Sequence, residues 1–327
     1  MTAHAQQPLG KARWVDNHDE ELLAQVSRRY YLEDTSKVEI ARALDISRFK
    51  VARLLQAARD RGIVQISITV PGRVDSALSA ELADRLRRAR SVVVDTTGNE
   101  LTARRQVAAA AAEILPGLVP DNALLGLTWS RTIDAMVDAL GELPRCTAIQ
   151  LCGSLAAPAG SATTLDVVQR VARLAGGVAH QVHAPLVVDD AAAAAALRRQ
   201  PGIQDTLRLA DELDVCVVAV GAWRARCSTV WEVVSQAVRT AGTRSGAVAE
   251  VSGRLLGPTG EAVESPLDDL VIGASLTQLQ RADERVALVN GPHRAQAVIA
   301  AAGAGIVTTL VTTSDIAREV LKLGTPG

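Results

Sequence analysis

Aromatic side chains are scarce in this chain: of 327 residues, one is phenylalanine, two are tyrosine and four are tryptophan. With 48% of the residues hydrophobic, the core must be filled by Ala, Val, Leu and Ile. An excess of charge is also missing. The 35 Lys and Arg face 36 Asp and Glu, a formal net charge of −1. That balance excludes a protein that coats nucleic acid over its whole surface, so any such binding must come from a local patch. Cysteines are few, and none are spaced as C-x-x-C. Cys146, Cys152 and Cys216 lie in or beside apolar strand-like runs and read as small core residues, with Cys227 in a loop. The five histidines (His4, His18, His180, His183, His293) show no metal-ligand spacing, and even His180-x-x-His183 reads as ordinary. No metal and no cofactor is expected. No apolar run is long enough to span a bilayer, and the N-terminus lacks the apolar core of a signal peptide. The expectation is a cytoplasmic protein with no membrane partner.

What is present begins at Ser36. Residues 36–61 read as two short helices joined by a tight turn, the layout of a helix-turn-helix DNA reader. Ser36 can cap the first helix, and Glu39 can reach back to complete a capping box, a cap worth about 1 kcal/mol. Ile40, Ala41 and Leu44 form the apolar stripe of that helix, Asp45-Ile46 the turn, and Ser47 the cap of the second helix. Val51, Leu54, Leu55 and Ala58 recur at helical spacing and should pack inward. Arg48, Lys50, Arg53, Arg59 and Arg61 face a single acid, Asp60, over Ser47–Arg61. Ser36, Lys37, Ser47, Arg48, Phe49, Lys50 and Arg53 are therefore the candidates for contact with double-stranded DNA.

Around this pair the chain divides. Residues 1–16 read as a disordered start, and 17–70 as the DNA-binding domain. Its first helix runs over about Asp19–Glu33, and Ile63–Val70 alternates like a short strand. Residues 71–90 read as a linker and connecting helix, Ser76–Arg90, with Leu78, Leu82 and Leu86 on one stripe that suits self-pairing. From Ser91 to the end, short apolar runs alternate with helical stretches: 92–94, 123–127, 148–151, 215–220, 286–289 and 307–311 as strands, with helices after each. One helix is expected over 230–241. Alternation of this kind implies α/β architecture, a parallel sheet flanked by helices.

Ligand chemistry on such a sheet belongs where strands end and helices begin. Four junctions carry glycine there. They are Gly126-Leu127-Thr128-Trp129-Ser130-Arg131-Thr132, Gly153-Ser154, Gly221-Ala222-Trp223 and Gly291-Pro292-His293-Arg294. Glycine admits a ligand to the backbone, a helix start offers unpaired N–H groups to an anion, and Arg294 supplies a fixed positive charge.

Two sets of motifs carry a family resemblance. The first is Ile40-Ala41-Arg42-Ala43-Leu44-Asp45-Ile46-Ser47-Arg48 followed by Val51-Ala52-Arg53-Leu54-Leu55. The second is Gly126-Leu127-Thr128-Trp129, Leu151-Cys152-Gly153-Ser154, Gly253-Arg254-Leu255, Gly291–Arg294 and Leu310-Val311-Thr312. Together they resemble the SorC family of bacterial transcriptional regulators over nearly the whole chain. The resemblance implies a Rossmann-like, DeoR-like effector domain of the sugar-phosphate isomerase/deaminase superfamily behind the DNA reader. It implies a dimer or tetramer, and a small sugar, polyol or sugar-phosphate effector controlling a catabolic operon. It places that effector against Gly126, Thr128, Trp129, Ser130, Arg131, Thr132, Gly153, Ser154, Gly221, Trp223 and Arg294. Arg294 stands where the family usually has lysine, and Gly257 and Thr313 where it usually has aspartate. Loss of two acids implies an effector with fewer hydroxyls, or a weaker pocket. Two other classes remain: an oligomeric DNA-bound scaffold with a degenerate pocket, and an isomerase or deaminase. The enzyme lacks a convincing acid/base pair, since His293 and Asp315 stand alone.

Overall fold

A computed structural model of the chain describes residues 17–64, 72–86, 89–155 and 164–323. The start at 1–16, Pro71 and the part of the expected strand beyond Val64 lie outside the described residues; its first residues, Ile63 and Val64, form a bend. The chain forms two compact units, Met1–Ile68 and Thr69–Gly327.

The first unit holds three helices, α1 (Asn17–Tyr31), α2 (Lys37–Ala43) and α3 (Arg48–Asp60). Ser36 caps α2 with a full capping box, its hydroxyl accepting from the Glu39 N–H while the Glu39 carboxylate accepts from the Ser36 N–H. Ser47 caps α3 by accepting from the Lys50 N–H at 3.1 Å. Between the two helices Asp45 takes a left-handed conformation (φ 51) that an aspartate tolerates. Val26, Ile40, Ala41, Val51 and Leu55 are buried together, with Leu22, Tyr30, Tyr31, Leu44, Ile46 and Leu54 packed around them. The expected inward stripes are the ones that fold inward.

The second unit is built on an eight-stranded sheet of order β1-β2-β11-β10-β6-β3-β4-β5. Its strands are β1 (Arg73–Val74), β2 (Arg90–Asp95), β3 (Ala123–Leu127), β4 (Cys146–Gln150), β5 (Ala179–His180), β6 (Val215–Ala219), β10 (Glu284–Leu288) and β11 (Thr309–Thr313). The edge strand β1 is antiparallel to β2, and every other pairing is parallel. A second, three-stranded antiparallel sheet joins β7 (Gly221–Ala222), β8 (Ala249–Val251) and β9 (Arg254–Leu256).

Side chains alternate between two cores. Val93, Cys216, Val218, Ala287 and Leu310 point to one face, and Val92, Val94, Val215, Val217, Val286 and Val311 to the other. Both faces are covered, which is why the strands read as unbroken apolar runs. On the first face lie α4 (Ser76–Arg85), α13 (Leu276–Arg281), α14 (Ala295–Gly303) and α15 (Ser314–Lys322). The other face carries α5 (Glu100–Ile114), α6 (Arg131–Ala139) and α7 (Thr164–Leu174). The connections use α8 (Ala191–Arg198), α9 (Pro201–Arg208), α10 (Thr229–Val233), α11 (Gln236–Arg244) and α12 (Leu267–Leu270). Alanine lets the helices approach the sheet closely: Ala108, Ala110, Ala111 and Ala112 of α5 are buried, as are Ala295, Ala297, Ala300 and Ala301 of α14. None of the largest fully buried side chains is aromatic.

Two expectations change. The helix expected over Ser76–Arg90 ends at Arg85, because β2 begins at Arg90. Its leucines are not a free seam: Leu78, Leu82 and Leu86 lie in the core of the second unit. Ser79 ties the helix to β2, its hydroxyl accepting from the Val93 N–H at 2.9 Å. The helix expected over 230–241 is broken in two. The Ser235 hydroxyl accepts from the Val238 N–H and starts α11 afresh, since a serine that bonds the backbone ahead of it caps a helix rather than extending one.

Candidate functional site

The chain leaves β3 toward β4 on one side and leaves β6 toward β10 on the other, although β3 and β6 are neighbours. Connections that diverge from adjacent parallel strands leave a crevice at their C-terminal ends. Thr128 closes its floor. Its N–H donates to the Val217 carbonyl at 3.0 Å and its hydroxyl accepts from the Ala219 N–H at 3.1 Å, stapling β3 to β6.

A cavity occupies this crevice. Its wall includes Thr128, Trp129, Ser130, Arg131 and Thr132 after β3, Cys152 and Gly153 after β4, and Ala219, Val220 and Gly221 at the end of β6. Asn290 follows β10, and Arg294 lies just before α14. Glu100 and Arg104 reach it from the first turns of α5, Ser228 from the cap of α10, and Glu250 and Ser252 from the end of β8.

Three guanidiniums meet here. Arg104 pairs with Glu100 at 2.9 Å, one helical turn away. Burial holds Arg104 below its ordinary pKa, and Arg131 and then Arg294 push it the same way against the pull of Glu100. Burial also lowers Arg294, with Cys227 and Glu100 opposing and Arg131 adding repulsion. Arg294 reaches the cavity because Gly291 makes room. Gly291 sits at φ +102, and a side chain there would stand 2.2 Å from Nη1 of Arg294. The folded-back guanidinium donates to the Cys227 carbonyl at 3.1 Å. Arg104 and Arg294 are thus partly desolvated and, with the exposed Arg131, repel one another.

Opposite in chemistry is Glu250, 6% exposed. Its carboxylate accepts from the Gly253 N–H at 2.6 Å and the Ser228 hydroxyl at 2.9 Å. The turn Ser252–Gly253, with both φ positive, holds it in place between β8 and β9. Burial pushes the carboxyl above its ordinary 4.5, although both hydrogen bonds favour the ionised form. The Trp129 indole N–H is buried without a hydrogen-bond partner among the described residues, and the Ser252 hydroxyl lies beside the Cys152 thiol.

The raised carboxyl has a measurable consequence. The folded state keeps the Glu250 proton to higher pH than the unfolded chain does. The free energy of unfolding therefore falls as the pH climbs from the ordinary carboxylate pKa to the raised one. Glu250→Gln keeps the shape, accepts from Gly253 and donates to Ser228, and does not titrate. Urea midpoints between about pH 4 and about pH 8 should fall with pH more steeply for the parent protein than for Glu250→Gln. Parallel curves would show that burial leaves this carboxyl unshifted.

Most of the expected ligand residues line this cavity: Thr128, Trp129, Ser130, Arg131, Thr132, Gly153, Gly221 and Arg294. Gly126, Ser154 and Trp223 do not. Gly126 pairs within the sheet with Ile149 and Cys216, and a side chain there would meet Leu151 at 2.7 Å, so packing explains the glycine. Ser154 is held through its backbone, its N–H donating to the Ala184 carbonyl. Trp223 is a core residue, 5% exposed and edge-to-face with Trp231 at 5.0 Å. Neither position with a missing acid lines the cavity. The Glu261 carboxylate stands 2.0 Å from where a side chain on Gly257 would begin. Thr313 caps α15 and lines an adjacent cavity that shares Glu100 and Asn290.

Sequence reasoning missed Glu100, Arg104, Ser228, Glu250, Ser252 and Asn290. Glu250 did carry a signal, as the only charge in the run Ala247-Val248-Ala249-Glu250-Val251. Arg104 carried none, because Arg104-Arg105 in a helix reads as a solvated face. In the first unit, Ser36, Ser47, Arg48, Phe49, Lys50 and Arg53 are all exposed, with Lys37 half-buried over the Tyr30 ring at 5.3 Å.

Comparison with known proteins places this architecture. The family described as "Putative sugar-binding domain" matches residues 73–322, most of the chain. An uncharacterized transcriptional regulator of Escherichia coli, YjhU, is 26% identical over 308 residues, 91% of this chain and 93% of its own. The transcriptional regulator LsrR of Klebsiella pneumoniae is 28% identical over 311 residues, 93% of this chain and 94% of its own. The crystal structure of the full-length sorbitol operon regulator SorC of Klebsiella pneumoniae shares the fold, with a TM-score of 0.68 at 19% identity, covering 93% of this chain and all of that one. The chain belongs to the SorC family of sugar-binding transcriptional regulators.

Proposed function

We propose that the second unit binds a phosphorylated sugar or polyol, and that the first is a helix-turn-helix domain that reads an operator. The observation that carries the effector reading is the convergence of Arg104, Arg131 and Arg294 on one cavity, with Glu100 paired to Arg104. Guanidinium forks suit a phosphate group better than a lysine would. Glu250, Ser252 and Asn290 on the same wall supply acceptors and donors for hydroxyls. The relatives carry names of transcriptional regulators, one of them a sorbitol operon regulator, and the control of a sugar or polyol catabolic operon is the matching role here.

A dimer or tetramer sets two copies of α3 in major grooves about 34 Å apart, or a multiple of that. The effector prefers one arrangement of subunits, and its differential affinity shifts the affinity for DNA.

The test is a thermal-shift screen of the purified chain against sugars, polyols and their phosphate esters, followed by titration calorimetry of the hits. A ligand that binds only the folded state raises the melting temperature by mass action. Hits confined to phosphate esters support the reading. A response to neutral polyols alone would overturn the phosphate assignment and keep the sugar one.

A further inference from the structure

We propose that Phe49 reads the 5-methyl group of a thymine in the major groove, making it a specificity-determining residue of the operator contact. The inference rests on the reading of the first unit as a DNA-binding domain.

Phe49 is the only phenylalanine in the chain, and it is 84% exposed. The first unit does not need it, since its core closes around Val26, Ile40, Val51 and Leu55 without that ring. A large apolar side chain left in water in so aromatic-poor a sequence calls for a partner.

Its position says which partner. Phe49 is the second residue of α3, in a turn whose backbone is fixed by the Ser47 cap. Arg48 and Lys50 flank it and Arg53 follows one turn later; all are exposed, and among the described residues none is in an ion pair. Phe49, Lys50 and Arg53 line one shallow groove with Ser47, Leu54, Gln56, Ala57 and Asp60. The helical neighbours of Phe49 at i+3 and i+4 are the exposed Ala52 and Arg53, and Leu54 and Ala57 of the same groove are half-buried, so no exposed stripe of large apolar side chains runs from the ring. An apolar protein partner would need such a stripe, whereas a duplex would not. Phosphates take the cations, and the thymine methyl is the apolar group that a base pair presents in the major groove.

The experiment uses the full chain. A duplex is selected from a random pool, and each thymine is then replaced by deoxyuridine, which removes the methyl and nothing else. At one or two positions per half-site the substitution should weaken binding about fourfold, the effect of burying one methyl-sized group. Phe49→Ala should bind the thymine duplex about fourfold more weakly than the parent does, and no longer distinguish it from the uracil duplex. Restoring the methyl on cytosine at those positions should recover part of the affinity. Equal binding of thymine and uracil duplexes at every position would overturn the proposal, as would discrimination that survives in Phe49→Ala. A selection that enriches no sequence would overturn the DNA reading itself, a distinct outcome.

Discussion

Arg294→Ala is expected to weaken a phosphate-bearing effector by about 2–5 kcal/mol, at least thirtyfold, the range for truncating one member of a buried, hydrogen-bonded charge pair. The side chain does no other visible work that would blur the result. It stands at the cap position of α14 but makes no capping bond, so the helix start does not depend on it. Among the described residues its side chain makes one hydrogen bond, to the Cys227 carbonyl. Removing it also lifts a repulsion from Arg104, which limits the loss in the unliganded protein. Arg294→Lys separates charge from shape. The ammonium keeps the attraction and loses the two-pronged fork, so its affinity should fall between those of the parent and Arg294→Ala. Calorimetric titration with a phosphate ester and with its dephosphorylated counterpart reads both effects. If Arg294→Ala binds the ester as tightly as the parent does, this cavity is not the phosphate site.

Which parts of the site were legible follows from where the charges sit. Residues Thr128–Thr132 were readable because strand, loop and helix start are consecutive there, and a parallel sheet aligns such junctions on one edge. Arg294 was readable as a fixed charge at the junction that follows β10, which Gly291 marks. Arg104 was invisible because only the packing of α5 beside α6 brings it to Arg131, and local spacing carries no such information. Gly126 misled for the opposite reason. A glycine in a strand marks close approach, and here the approaching atoms belong to Leu151 rather than to a ligand. Trp223 was misplaced because an indole suits a pocket wall and a core equally well. The parallel sheet itself was plain, since strands covered on both faces show up as apolar runs whatever their order. Strand order was not, because it depends on pairings between β2 and β11 that are more than two hundred residues apart in sequence.

The leucines of α4 carry the second large effect, because their spacing has two physical readings with opposite consequences. Leu78, Leu82 and Leu86 fit one seam of a self-pairing helix, and they fit equally well a helix laid on its own sheet. Leu82 is fully buried, packed in the core with Val93 of β2 and Val320 of α15. The helix is held there by polar contacts as well. Asp75 caps it, Ser79 accepts from the Val93 N–H, and Arg85 donates to the Leu323 carbonyl at 2.8 Å. Leu82→Ala should therefore cost the second unit about 2–5 kcal/mol, the range for a large-to-small change in a closed core. Urea unfolding followed by tryptophan fluorescence in a Trp14→Phe background reports on that unit alone, since Trp129, Trp223 and Trp231 all belong to it. The association state, read by sedimentation at a protein concentration well above its midpoint, should not change. A self-pairing seam predicts the reverse, with dissociation at constant subunit stability, because the methyls lost would come from an interface rather than from the interior. The contrast holds even if the chain is a tetramer, since in the observed packing the apolar face of α4 is already spent on β2 and α15, and association must use some other surface.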